Sequence, residues 1–348
     1  MNIGIFVCAN GLGHIRRVSA ILHYLLNIKN EQLTSVRFTI HFPVERTEYL
    51  INSNEFKYLK EHRNVFIKDF RYPVNYYEHS LAEKTWSKIK LPQDRDFQLI
   101  WSDNITQVLE LGMQTVFTGS FFWHEVLEQM NHSKNFVNNQ RVLISQNRPI
   151  MIGNEYFSTP DVRQLTDFSP VGFYKYNIIQ NHLSDKKDIL LSAGLGGESL
   201  EDCSSAIKRI IQEKLVPPRY LWIEPRLYED NFPDWVKLAT YQNSMFSQCY
   251  ASCIRPGIGT LSDALLGGNY IFSFHKDTHE MNYNSSVLDL NGFGERTPSP
   301  YDAYSNALEL YNDKEKLKIT RLRTAHLRSD GVSASAEKIW SVIKNKLQ

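Results

Sequence analysis

Short apolar runs alternate with stretches whose apolar residues recur at helical spacing along most of the chain, which is how parallel strands joined by crossover helices read in sequence. The runs predict strands at 2–9, 36–41, 65–68, 99–102, 114–118 and 142–145, then at 188–192, 219–223, 251–254 and 270–274. The class is therefore α/β. Pro170, Gly172 and the polar Ser184-Asp185-Lys186-Lys187 interrupt the alternation before a fresh apolar strand begins at Ile189. This divides the chain into a first domain at 1–183, a second at 187–330, and a terminal helix at 331–348. Ala336, Ile339, Trp340 and Ile343 share one face of that helix, which is expected to pack back on a neighbour.

A length of 348 residues suits two domains, each with its own core. The 39 basic and 38 acidic side chains nearly cancel, so no global field draws nucleic acid, and an anionic ligand must be held locally. The apolar opening is too short for a secretory leader and lacks a basic flank, and no stretch reaches the length of a membrane span; a cytoplasmic protein is expected. Cys8, Cys203, Cys249 and Cys253 form no CxxC pair, which reads as reduced thiols in the core.

Candidate chemistry begins at Asn10-Gly11-Leu12-Gly13-His14-Ile15-Arg16-Arg17, where a strand passes through glycines into a helix. That arrangement aims free backbone N–H groups at an anion or a developing charge. The third glycine of a dinucleotide fingerprint is missing, the next strand ends in His41-Phe42 rather than an acid, and no P-loop is present, so neither a dinucleotide cofactor nor a P-loop nucleotide is expected. His14 has two readings: a proton-transfer group at a strand's carboxyl end, or a turn histidine bonded locally. Arg16 and Arg17 either hold an anion, with Arg17 the better placed, or are solvated. Asp103 closes the run Leu99-Ile100-Trp101-Ser102; it either orients His14 or caps a helix. Phe121-Phe122-Trp123-His124 reads as the floor of an acceptor site or as core.

The second domain repeats the opening. Ser192, Gly194, Gly196 and Gly197 form a glycine loop after a buried strand, either close to a diphosphate or simply a tight turn. Arg255-Pro256-Gly257-Ile258-Gly259-Thr260-Leu261-Ser262-Asp263 runs from a strand through a Pro/Gly turn into a helix; its N–H groups and Thr260 suit phosphate, and Asp263 suits ribose hydroxyls. Glu280 follows the next strand and suits sugar hydroxyls. His275, Asp277 and His279 form a conceivable metal cluster, but the polar stretch reads better as surface, and no metal is expected.

The Arg255–Asp263 stretch resembles the nucleotide-binding segment of the GT-B glycosyltransferases, a group that includes the peptidoglycan N-acetylglucosaminyltransferase and the UDP-glycosyltransferases. Asp263 stands where that group carries a ribose-binding acid, usually glutamate. Glu280, Met281 and Asn284, with Gly292 and Gly294 beyond, resemble its later donor-sugar motif, with Met281 in place of the usual glutamine. Gly11–Arg17 looks like the GxGHxxR loop of the same superfamily, shared with the UDP-sugar hydrolase of pseudaminic-acid synthesis. The resemblance implies two Rossmann-like domains facing across a cleft and an inverting, metal-independent transfer. It implies His14 as base, Asp103 as its partner, and Gly13, Arg17 and the second-domain residues on the donor.

The nucleotide-sugar, UDP-linked by family, is then a co-substrate and no cofactor is needed. The acceptor is a hydroxyl, a lipid-linked or glycan one by family, which predicts a shallow apolar or basic face on the first domain for peripheral membrane contact. A nucleotide-sugar hydrolase using the same histidine, and a non-catalytic nucleotide-sugar binder or partner subunit, are the rival readings. Intact His14, Asp103, Asp263 and Glu280 argue against lost activity.

Overall fold

A computed structural model describes residues 1–8, 12–42, 54–70, 91, 96–129, 134–175, 185–194, 199–276 and 279–348. The chain forms two compact units, Met1–Tyr176 with Asp330–Gln348, and Asn177–Ser329.

In the first unit, β1 (Asn2–Val7), β2 (Arg37–Phe42), β3 (Val65–Asp69), β4 (Leu99–Asp103), β5 (Thr115–Thr118), β6 (Ile150–Asn154) and β7 (Asp167–Val171) make one sheet in the order β3-β2-β1-β4-β5-β6-β7. Every pairing is parallel. Helices α1 (Leu12–Ile28), α2 (Asn54–Glu61), α3 (Trp123–Gln129), α4 (Lys134–Asn147) and α5 (Pro160–Leu165) connect its strands. The order reverses direction between β1 and β4, the point at which open α/β sheets leave a crevice at the strands' carboxyl ends.

In this unit two strands, β6 and β7, escaped the sequence reading, and one predicted strand is absent. The run 142–145 lies inside α4, where Val137, Gln140 and Ile144 face the core at helical spacing and Val142 is exposed. The next strand is β6, eight residues further on. Pro170 does not end the domain; it sits in β7, an edge strand, where a missing N–H leaves no ladder bond unmade.

The second unit repeats the plan. Strands β8 (Asp188–Ser192), β9 (Leu221–Ile223), β10 (Val236–Leu238), β11 (Cys249–Ile254), β12 (Tyr270–Ser273) and β13 (Gly294–Arg296) lie parallel in the order β10-β9-β8-β11-β12-β13, with the reversal between β8 and β11. Helices α6 (Leu200–Gln212), α7 (Asn243–Gln248), α8 (Ile258–Leu266), α9 (His279–Leu290), α10 (Pro300–Leu310) and α11 (Lys314–Thr324) flank it. Cys203, Cys249 and Cys253 are buried free thiols here, as Cys8 is in the first unit.

The final helix, α12 (Gly331–Leu347), belongs to the first unit. Ala336, Ile339 and Ile343 join the cluster that α1 builds with Ile15, Val18, Ile21 and Leu22. Its start is fixed closely: Asp330 accepts the Gly172 N–H at 2.9 Å, and a Cβ on Gly331 would stand 2.5 Å from the Gly172 carbonyl oxygen, so only glycine fits. No helix among the described residues is long and apolar enough to cross a membrane.

Candidate functional site

Both switch points carry the polar residues that the sequence singled out. In the first unit, Asp103 closes β4 beside Val7 of β1, and its carbonyl accepts the Cys8 N–H at 3.0 Å. His14 and Arg17 project from the first turns of α1, one turn apart. His14 Nδ1 lies 2.6 Å from Asp103 Oδ1. Arg17 donates from Nε to Oδ2 at 2.8 Å and from Nη2 to Oδ1 at 2.8 Å, a two-pronged grip that only a guanidinium makes. Thr118, at the end of β5, donates its hydroxyl to Oδ2 at 2.8 Å and accepts the Trp101 indole N–H at 3.0 Å.

Asp103 is fully buried. Burial alone would push its carboxyl up, but the Arg17 guanidinium and the His14 hydrogen bond outweigh it and hold the carboxyl below the usual carboxylate range. An ionised Asp103 makes Nδ1 the protonated nitrogen of a neutral His14, which leaves the lone pair on Nε2. That atom takes no hydrogen-bond partner among the described residues. Arg17 Nη2 also approaches Nδ1, at 3.3 Å, but the shorter carboxylate contact decides the proton's place. Arg17 and Asp103 cancel in charge, so His14 receives orientation from the carboxylate rather than a lone counter-ion.

Arg17 is committed to Asp103, and its guanidinium carbon lies 5.2 Å from the centroid of the Tyr174 ring. Burial pushes the Tyr174 phenol up to about 12, and its hydroxyl donates to the Ile152 carbonyl at 3.0 Å. Asp103 caps no helix; its carboxylate is spent on His14, Arg17 and Thr118. Gly13 lies in the first turn of α1, with no described atom within 4 Å of where a Cβ would stand. Arg16 is exposed. Phe121, Phe122 and Trp123 are core residues, packed with Ile144 and Val162, rather than an open floor.

In the second unit, Ser192 ends β8 opposite Ile254 of β11, and its carbonyl accepts the Arg255 N–H at 3.2 Å, so the two glycine-bearing turns start side by side. Gly257 precedes α8 and offers no side-chain cap, no acid occupies the first turn, and Gly259 stands open on the helix. The first N–H groups of α8 therefore keep their free hydrogen-bonding capacity and their share of positive dipole charge. Thr260 and Asp263 lie half-buried along the same helix. Asn284, buried in α9, donates to the Pro256 carbonyl at 2.8 Å and holds α9 against this turn. Met281 is buried one turn earlier, and Glu280 is half-buried at the start of α9. His275 bonds the Lys276 carbonyl and Ser285 at 2.9 Å each. Gly196, Gly197 and Asp277 lie outside the described residues.

The sequence reading missed the group that fixes Ser192. The Ser192 hydroxyl lies 3.0 Å from Glu224 Oε2 and 2.8 Å from the Tyr241 hydroxyl, and it accepts the Gly194 N–H at 3.2 Å. Arg226 donates Nε to Glu224 Oε1 at 2.8 Å and also bonds the Gly194 carbonyl. Gly194 and Tyr241 both take positive φ, +66° and +53°, which glycine accepts freely and tyrosine only at a cost. Glu224 follows β9 directly, so an acid at a strand's carboxyl end was the available signal. Thr118 carried the same signal as a hydroxyl at the end of β5.

No family model and no curated protein matches the chain. Solved structures do match. CalG4, the calicheamicin glycosyltransferase, superposes with a TM-score of 0.66 at 11% identity over 97% of each chain. Phytolacca americana UGT2, solved with UDP-2fluoro-glucose and pterostilbene, gives 0.66 at 12% over 100% of each. The glycosyltransferase SnogD from Streptomyces nogalater gives 0.57 at 12%, over 98% of this chain and 99% of its own. At such identities the likeness is one of fold, and the fold is that of these GT-B glycosyltransferases: two Rossmann-like domains, each built on one parallel sheet.

Proposed function

We propose that the chain is a glycosyltransferase that moves a sugar from a nucleotide-sugar, UDP-linked by analogy with its structural neighbours, to a hydroxyl acceptor with inversion and without a metal. The observation that carries this is the 2.6 Å contact between His14 Nδ1 and Asp103 Oδ1 at the switch point of a GT-B first domain. Nε2 takes the acceptor's proton as its oxygen bonds to the anomeric carbon and the diphosphate leaves. Arg17 and Thr118 act through Asp103, fixing the carboxylate that orients the imidazole.

The leaving diphosphate is assigned to Gly257–Thr260. Its rival, the turn ahead of α6, leads into a first turn that already carries Glu201 and Asp202, whereas that of α8 holds no acid. Arg255, Asp263, Glu280, Met281 and Asn284 line or brace the remaining donor contacts, and Ser192 with Gly194 forms the neighbouring wall. A cell-surface glycan or glycolipid acceptor fits this reading.

Incubating the protein with UDP-, GDP- and dTDP-sugars and a panel of hydroxyl acceptors tests it. His14→Ala is expected to keep donor-induced thermal stabilisation and to lose transfer. Free sugar released as fast without acceptor as with it would reassign the histidine to water activation. Absence of stabilisation by every nucleotide-sugar would remove the donor site.

A further inference from the structure

The sequence reading looked for a membrane-facing surface on the first domain. There, the exposed Phe66 lies under the Arg37 guanidinium, 3.9 Å from its ring centroid, and the other large exposed side chains, Ile28, Val142 and Leu347, fall on different helices. The second unit differs. Its helix α11 carries five basic residues against one acidic, in a chain whose formal net charge is +1. Leu317, Thr320 and Thr324 are its buried side. The opposite side presents Lys318, Ile319, Leu322 and Arg323, with Ile319 38% and Leu322 58% exposed at i, i+3 spacing. Arg323 donates to the Gly292 carbonyl at 3.2 Å, which ties this face to the end of α9. Two residues before Gly292 stands Leu290, 83% exposed, the most solvent-exposed large apolar side chain among the described residues.

We propose that this face of α11, with Leu290, docks on an anionic lipid surface. A single convex helix with an apolar ridge flanked by lysine and arginine matches a plane of negative head groups over acyl chains: the ridge enters the interface while the long basic side chains reach the phosphates. The charge complementarity is local to the helix: Lys316 is paired with Glu295, while Lys318 and Arg323 stand exposed beside the ridge. The assignment stands independently of the sugar-transfer reading.

Sedimentation of the full chain with large unilamellar vesicles tests it. The protein is expected to pellet with vesicles containing phosphatidylglycerol, to stay in solution with phosphatidylcholine alone, and to be released by high salt. Leu322→Asp should abolish pelleting. Lys318→Gln with Arg323→Gln should weaken it roughly 25-fold, about five-fold for each basic residue near the surface. These side chains are exposed and the one hydrogen bond lost, from Arg323 to the Gly292 carbonyl, lies at the surface, so melting temperatures should shift little. Equal pelleting with both vesicle types, or pelleting that the variants leave unchanged, would overturn the proposal. So would a mass in light scattering that doubles with concentration in the native chain and not in Leu322→Asp, because the face would then be a self-association surface.

Discussion

Thr118 is bonded on both sides: its hydroxyl donates to Asp103 at 2.8 Å and receives the Trp101 indole N–H at 3.0 Å. The one proton of the hydroxyl is thus directed at the carboxylate, and the residue does for Asp103 what Asp103 does for His14. Thr118→Val keeps the shape of the side chain and strands both partners. Loss of about 1–3 kcal/mol in urea unfolding is expected, with a fall in turnover at unchanged donor affinity. A stability loss without any change in turnover would make Thr118 a core residue only.

Asp103→Asn removes the charge from a buried site that also holds Arg17, and an uncompensated buried guanidinium costs about 3–5 kcal/mol. The pH dependence has a definite sign. Asp103 titrates below its ordinary range in the folded state, so its contribution is present at neutral pH and is lost as pH falls through the folded value. Acid unfolding of the native chain should therefore show a component that the Asn variant lacks. Turnover should drop by up to about 10⁴, because an amide in place of the carboxylate no longer fixes the tautomer of the His14 imidazole.

Three glycines separate structural need from ligand need. Gly119 has φ +154°, and a Cβ there would lie 2.1 Å from Asn104 Oδ1, so Gly119→Ala should destabilise by about 1–3 kcal/mol whatever is bound. Gly13 and Gly259 sit in helical first turns with no described neighbour within 4 Å. Alanine there should leave the melting temperature unchanged or raise it. If Gly259 is glycine for the sake of a diphosphate, Gly259→Ala keeps its stability and loses donor binding; retained binding removes the diphosphate from this turn.

Glu125 offers a second pH test. Its carboxylate accepts the Phe122 N–H and the Thr159 hydroxyl at 2.8 Å each, yet burial pushes its pKa up to about 7 from 4.5. The folded state then holds a proton that the unfolded chain releases, so stability falls as pH rises from about 4.5 to about 7 and is level above. Glu125→Gln should remove that slope and stabilise the protein at pH 8 by on the order of 3 kcal/mol. Thermal melts across pH 4–8 would decide; parallel curves for both proteins would place the charge elsewhere.

At the two switch points β1, β8 and β11 were legible because they are short, apolar and followed by glycine, and β4 because it is a buried apolar run closed by an acid. The edges were not. β7 carries Ser169 and Pro170 and is barely buried, β10 and β13 are three-residue strands, and an edge strand has only one partner to shape its pattern. Val142-Leu143-Ile144 misled because three adjacent apolar residues mimic a strand, although only Ile144 is fully buried and Val142 is exposed. His14 and Asp103 were found by position, at the ends of consecutive neighbours in the sheet. Arg17 was read as a hand for an anion from outside, and the anion it holds is Asp103. Glu224 carried a signal at its strand's end that went unused, whereas Tyr241 and Arg226 had none, because the turn after β9 and Tyr241 reach the Ser192–Gly194 turn from two segments whose meeting only the sheet order dictates.

The helix α12 has a consequence for the order of synthesis. The unit that bears His14 begins at Met1 but closes with Asp330–Gln348, so the second unit leaves the ribosome complete while the first still lacks the face that covers α1. The amino-terminal half is thus the last to be finished. A nascent chain stalled before residue 331 should hold a protease-resistant second unit and a first unit that is still open to cleavage.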